Sequence, residues 1–541
     1  MSLNLPKNRI GHLKQLLKLE QEEEKKLFLN RIGEYNVNQR IKQGICWYPI
    51  SIGDWYFDTK EKLVIEIERV NHLDQPNDFN VGRVVSMFSN KEGKEEDANA
   101  SGIIISMRGN NAKISMHCDD FEDWMKTGKI GLDLLYDETS FKEMNFALGH
   151  LSNTENRRLQ HLLDIAYGTK ESTKKEDFTY HVGHLNESQN KALSNCLAQE
   201  DIAIIHGPPG TGKTTTMLDV IEKSLDEHKQ ILVTAPSNNA VDLLVEKLNE
   251  RQIKVLRIGN PARINDHIQE FSLSWQITQH PDFSLIKKMK KQSVEYRNMA
   301  GKYKRSFGPA EREQRKALYD EAWKLRKDAQ QIEDYIVADL IEGAQVIAST
   351  LVGSSHHSIR NRRYPLCVID EASQALEPAS WIPIIKSEKV IMAGDHQQLP
   401  PTVKSYEAAK AGLSKSLFEV LVEKLNVSVM LNTQYRMNEQ IMRFSSSQFY
   451  HVQLLSHNSV AKHTLYSEAS VVEFIDTAGC SFDEETANKS AQTFGSLFNF
   501  HEADLLWKHL FELFEQMQNE NVNLEQLTCG IISPYKGQVE H

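Results

Sequence analysis

Ile202-Ala203-Ile204-Ile205-His206 runs directly into Gly207-Pro208-Pro209-Gly210-Thr211-Gly212-Lys213-Thr214-Thr215-Thr216, and the reading of these residues decides the fold. Isoleucines dominate the first five positions, as a strand buried on both faces requires, and the residues after Lys213 suit a helix. Between them, Gly207, Gly210 and Gly212 remove the Cβ atoms that would keep backbone N–H groups from closing on an anion. The helix that follows aims the positive end of its dipole at the same point. Strand, glycine loop and helix in this order predict a nucleoside-triphosphate site. Lys213 is expected on the β and γ phosphates and the Thr214 hydroxyl on Mg²⁺, with Pro208, Pro209, Thr211 and Thr215 completing the cradle.

The chain around this stretch has 541 residues, enough for roughly three or four domains. With 40% hydrophobic and 25% charged residues it has the composition of a soluble globular protein. No apolar run approaches the roughly 20 residues that span a bilayer, and the N-terminus is polar, so no membrane partner and a cytoplasmic or equivalent reducing compartment are expected. Six cysteines lie far apart without paired spacing, which argues against a disulfide framework and a zinc cluster. The net charge of −11 means that a polyanionic partner must be met by a local basic surface.

Leu13, Leu16, Leu17, Leu27, Phe28 and Ile32 lie among Lys and Glu between Ile10 and Glu34, the pattern of an amphipathic helix in need of a partner. From Cys46 to Lys129, short β-branched runs such as Leu63–Ile67 and Gly102–Ser106 alternate with turns including Gly109-Asn110-Asn111, predicting a small β-barrel or sandwich. Residues Thr139 to Gly168 return to a helical pattern, a second stalk element beside the first. A charged linker from Lys170 to Asp177 follows. Strands then alternate with helices, which predicts an open parallel sheet wound on both faces, with its chemistry beyond the carboxyl ends of the strands. Between Pro281 and Gln330, 14 Lys and Arg face 7 Asp and Glu around Gly308-Pro309, a basic helical hairpin that is either a solvated insertion or a phosphate contact.

Asp370-Glu371 after an apolar strand suits magnesium-dependent hydrolysis, one carboxylate ordering the hydrated ion and the other taking a proton from water. Gln398, supported by Asp395, is a candidate for holding that water, and Gln189 for reading the adenine edge. Arg436 is a candidate to neutralise charge on the γ phosphate from a second domain, with Tyr435 able to stack on the base. A surface arginine and a core tyrosine remain the plain alternatives. Gly530-Ile531-Ile532 reads as a buried strand.

Taken in order, Gly207–Thr216, Ala235–Asp242, Asp370–Ala375, Gly394–Pro401 and Gln434-Tyr435-Arg436-Met437 resemble the motifs of superfamily 1 helicases. The branch is that of the nonsense-mediated-decay RNA helicase and the immunoglobulin-mu-binding-protein helicase, a likeness to which Arg257–Arg263 and Asp476–Cys480 add. The resemblance covers about Gln189 to Gln538 and implies an α/β chain of two RecA-like parallel-sheet domains. The expected division is stalk helices at 1–35 and 138–172, an inserted β-barrel at 36–137, a first motor domain at 173–424 with a basic helical insertion at 281–340, and an incomplete second domain at 425–541. The implied activity is ATP-driven 5′→3′ movement on single-stranded DNA or RNA by a monomer, with ATP and Mg²⁺ as cofactors. Gln189 and Tyr435 would then contact adenine, and Lys213, Thr214, Asp370, Glu371, Gln398 and Arg436 would form the hydrolytic site. Ser237, Asn238 and Thr350 would grip the strand's backbone. Family members carry two further motifs after the segment matching Ser533-Pro534-Tyr535, including a Gly-Glu loop and a second arginine, so impaired turnover is expected of this chain. The alternative is an ATP-switched nucleic-acid clamp or remodelling adaptor that does not unwind.

Overall fold

The computed structural model describes residues 5–540 apart from 33–35, 43, 58–61, 74–76, 92–93, 119, 127, 177, 302–307, 467–468 and 487–495. Glu34, Asp177, the centre of the basic segment and His541 therefore lie outside the described residues.

An antiparallel sheet forms first, from β1 (Cys46–Trp47), β2 (Ile50–Phe57), β3 (Leu63–Arg69), β4 (Val84–Lys91), β5 (Lys94–Arg108), β6 (Asn111–Met116) and β7 (Lys129–Leu134). Its order is β1-β7-β4-β5-β6-β3-β2, so the strands at its two ends are consecutive in the chain. β5 and β6 meet at the expected turn, where Gly109 takes φ +57°. Trp47, Ile65, Met87, Ile104, Ile114 and Leu132 are buried in a core of its own.

A separate, parallel sheet is built from β8 (Ile202–His206), β9 (Ile231–Ala235), β10 (Val255–Ile258), β11 (Val346–Thr350), β12 (Tyr364–Ile369), β13 (Ser387–Gly394) and β14 (Ser428–Met430). All seven run parallel in the order β10-β11-β9-β12-β13-β8-β14. The period of two explains the isoleucine-rich strands: Ile202 and Ile204 of β8 enter the core on one face, Ala203 and Ile205 the core on the other. β14 departs from expectation. The boundary anticipated at residue 425 would give Ser428–Met430 to the second lobe, yet these residues pair with Ile204, Ile205 and His206.

The first stalk helix, Leu5–Ile32, places Ile10, Leu13 and Leu17 in the core that covers one face of the parallel sheet. Full burial of each such side chain contributes about 1.5–3 kcal/mol, enough to make this helix part of the parallel-sheet unit. Leu16 packs with Ala408 and Leu413, Phe28 touches the antiparallel-sheet core, and Leu27 is exposed. Two polar clamps reinforce the seam. Arg9 and the Tyr167 hydroxyl both bond to the fully buried carboxylate of Glu377, and the Glu20 carboxylate accepts the backbone N–H groups of Lys404 and Ser405, each at 2.8 Å. The return of the stalk is two helices, Thr139–Ser152 and Arg157–Ala166, because the Asn156 side chain accepts from the N–H groups of Arg158 and Leu159 and caps a new start. Helices Phe283–Gly301 and Pro309–Gly343 pack as the hairpin expected around Gly308-Pro309.

Past Leu431 the described residues hold helices Glu439–Phe449 and Phe500–Asn519 and two pairs of two-residue strands. An extended second sheet is not assembled among them. Gly530-Ile531-Ile532, expected as a buried strand, lies in none, and Ile532 is 94% exposed. No described strand runs beside it to accept its backbone hydrogen bonds.

Candidate functional site

The loop 207–212 leaves the carboxyl end of β8 and the helix Lys213–Ser224 begins at its far side. Gly210 and Gly212 stand at φ +75° and +76°, backbone that L side chains rarely adopt, and a Cβ on Gly207 would fall 2.7 Å from that of Lys213. The Lys213 ammonium lies 2.6 Å from Glu371 Oε1, so the expected phosphate ligand and the expected proton acceptor meet over the loop. Glu371 itself takes φ +49°, a strained conformation for a non-glycine residue. Its N–H donates to Asp370 Oδ1 at 2.8 Å, and Gln374 Nε2 donates to its Oε2 at 3.1 Å. Burial pushes the Asp370 carboxyl up to about 6, against the pull of Lys213 and with the further push of Glu371. A carboxylate held in that state gains from a divalent cation, so Asp370 with the half-buried Thr214 suits Mg²⁺.

The segment after β14 closes over this loop. Tyr435 N–H donates to Gly210 O at 2.8 Å, and a Cβ on Gly210 would lie 2.6 Å from that of Arg436. Gln434, fully buried, fixes the turn: its Oε1 accepts from the N–H groups of Arg436 and Met437 at 2.7 and 2.9 Å. Tyr435 packs its ring on His457 at 4.6 Å, and its hydroxyl accepts from Asn186 Nδ2 at 3.0 Å. Gln189 is more committed than an open base reader. Its Oε1 accepts the Asn186 N–H as part of a capping box, and its Nε2 donates to Thr211 O at 3.0 Å, tying the helix start to the phosphate loop.

A third cluster was not legible as such. Asp395, 1% exposed, meets His206 Nε2 at 3.0 Å and the N–H of Gln397 at 3.1 Å through Oδ1. Through Oδ2 it accepts from Gln398 Nε2 and the Tyr450 hydroxyl, both at 2.7 Å. Burial pulls this carboxyl up, but the bonds from His206, Gln398 and Tyr450 outweigh it and hold the group below the ordinary carboxylate range.

Two models of the AAA domain match the chain, one over residues 184–406 and the other over 413–541. Among similar proteins, DNA-binding protein SMUBP-2 of Mesocricetus auratus is 31% identical over 86% of this chain and 47% of its own length. DNA polymerase alpha-associated DNA helicase A of Schizosaccharomyces pombe is 29% identical, covering 92% of this chain and 77% of that one. The ATP-dependent helicase upf1 of the same yeast is 30% identical over 76% of this chain and 43% of its own. These domains and relatives make the chain similar to the superfamily 1 helicases, as its motifs imply. It spans about half the length of the SMUBP-2 relatives it matches.

The residues expected to grip a strand sit at the carboxyl ends of β9 and β11, on the side of the sheet that carries the phosphate loop. Their polar groups also serve local structure. Ser237 Oγ caps a helix through the Ala240 N–H, Thr350 Oγ1 accepts from the Gly353 N–H, and Asn238 Oδ1 accepts from Arg257 Nη2 at 2.8 Å. Arg257 is wholly buried, with Nε 2.9 Å from Asp242 Oδ1, while Asp242 Oδ2 accepts the Asn265 N–H. Both ends of this ion pair lie in stretches the resemblance had picked out, Ala235–Asp242 and Arg257–Arg263, but nothing in the sequence joined the one to the other.

Proposed function

We propose that the chain couples ATP hydrolysis to 5′→3′ movement along single-stranded DNA or RNA, acting as a monomer in a reducing compartment. The observation that carries this reading is the packing of Arg436, from beyond the first sheet, directly on Gly210 of the phosphate loop. A guanidinium delivered by a second lobe makes hydrolysis depend on lobe position, which is what converts a nucleotide cycle into movement. ATP with Mg²⁺ would supply the phosphoanhydride whose cleavage drives the cycle, held by the loop backbone, Lys213, Thr214 and Asp370. Glu371, released from Lys213, is placed to take the proton of the attacking water, and Gln398 to orient that water. Ser237, Asn238 and Thr350 line the strand-gripping edge. The antiparallel sheet, whose end strands are one bent run of chain, is read as a barrel fastened to the motor by the stalk.

The test is ATP turnover with and without single-stranded DNA or RNA, alongside Glu371→Gln. Stimulation by the strand that Glu371→Gln abolishes, with nucleotide binding retained, supports the motor. Strand binding and remodelling that survive Glu371→Gln would replace it with the ATP-switched clamp.

A further inference from the structure

The four donors to Asp395 come from two parts of the chain. His206, Gln397 and Gln398 belong to the motor sheet and the loop after it, whereas Tyr450 lies beyond Leu431, where the helix Glu439–Phe449 ends. Tyr450 is 4% exposed, and its N–H bonds to Ser446 O, so the hydroxyl is carried by the helix itself. The same helix is preceded by Arg436. An eleven-residue helix is a stiff bar about 16 Å long, and this one touches the motor sheet's loops at both ends: Arg436 on Gly210 and Tyr450 on Asp395. Gln398 is exposed, and its anchor is the same oxygen, Asp395 Oδ2, that Tyr450 occupies.

We infer that Tyr450 is a positioning residue that fixes the Asp395 carboxylate, and through it Gln398, only while the second lobe is seated. This rests on the motor reading of the same site. Lobe closure then delivers two things together, the arginine to the phosphate loop and the glutamine to its working position, and opening withdraws both. Without the tyrosine hydroxyl, a buried carboxylate oxygen keeps Gln398 as its remaining partner on that side and the loop gains freedom. His206, Asp395 and His396 also offer ligand atoms within 4.8 Å of one another. Each Asp395 oxygen already receives two hydrogen bonds, so the cluster is read as a hydrogen-bonded hub rather than a cation site.

Tyr450→Phe removes the hydroxyl and keeps the ring beside His206. In hydrogen exchange on the full chain without nucleotide, the amides of residues 395–399 are expected to exchange about tenfold faster, with those of Gly207 and 210–213 unchanged. Unchanged exchange at 395–399, or equal loosening of both loops, overturns the inference. Gln398→Ala, at an exposed position, provides the reciprocal check: by linkage it must loosen residues 446–452, and failure to do so counts against the coupling even if Tyr450→Phe does not fold. In single-turnover hydrolysis, each variant is expected to lose about tenfold in rate with ADP affinity retained. The double variant should be no slower than Gln398→Ala, and losses that multiply refute the shared route. If the unaltered chain shows no hydrolysis with any strand, the motor reading fails, while the exchange results still decide the role of Tyr450.

Discussion

Gly210→Ala offers a way to unseat the second lobe by one methyl group. The new Cβ would lie 2.6 Å from Arg436 Cβ and 3.4 Å from both Arg436 N and Gln434 Oε1, whereas carbon atoms rest about 3.5–4.0 Å apart. Gln434 and the Arg436 backbone are bonded together, so the neighbour cannot give way alone and the segment must retreat by about 1 Å. Overpacking of this kind costs about 1–3 kcal/mol, and it falls only on the closed arrangement, lowering its population by roughly 5- to 150-fold. The positive φ of +75° adds a separate cost of about 1–2 kcal/mol to the folded state whether the lobe is open or closed. The expected result is a turnover loss of at least tenfold, ADP affinity within about threefold of the parent, and faster exchange of the Tyr435 amide that donates to Gly210 O. A variant that keeps both parental turnover and Tyr435 protection would show that the Gly210–Arg436 contact does not control the lobe.

Asp242→Ala leaves the fully buried Arg257 guanidinium without its carboxylate and is expected to lower unfolding free energy by about 3–5 kcal/mol in urea titrations, with Asp242→Asn losing less. Lys386 is buried with its ammonium on the carbonyls of Ser354 and Ile359, and burial lowers its pKa to about 8. Because the unfolded chain holds that proton to about 10.5, it binds more protons than the native state between these values. This group's contribution to stability therefore rises with pH, by about 2 kcal/mol from pH 7.5 to 9.5. Lys386→Met should remove that rise, and parallel curves for the two chains would refute the assignment. Trp507 and Phe511 pair on an exposed helix face, and the exposed Phe474 follows Glu473, which meets His509 of the same helix at 3.1 Å. An apolar fluorescent dye should bind the native chain, less so after Trp507→Lys with Phe511→Glu, at a stability change within about 0.5 kcal/mol in thermal melts.

The parts legible in sequence were those where local chemistry leaves few options. A glycine loop between an isoleucine strand and a helix has one common use, and Asp370-Glu371 follows a strand whose burial shows in its residue types. The parts that were not legible depend on distant pairing. Three residues, Ser428–Met430, have no periodicity of their own; they are assigned by the free edge of β8, more than two hundred positions earlier. The run Gly530-Ile531-Ile532 shows the reverse case, strand-forming residues without a neighbour among the described residues. Gln189 was read as a base contact, whereas its hydrogen bonds to Asn186 and Thr211 follow from a capping box whose second use, bracing the loop, needs coordinates. The Asp395 hub draws on residues 206, 395, 397, 398 and 450, a grouping no linear window contains.

β14 has a consequence for how far the arginine can stray. Met430 is registered to His206, the residue before the glycine loop, and Leu431 N–H is bonded to His206 O, so the tether between loop and arginine is the five residues after Leu431, ending at Arg436 itself. Even drawn straight, five residues reach only about 17 Å. Over so short a leash the guanidinium does not have to find its target by diffusion: its local concentration stays in at least the millimolar range however wide the cleft gapes. How long Arg436 takes to return to the loop is then a matter of the angle at one pivot rather than of encounter.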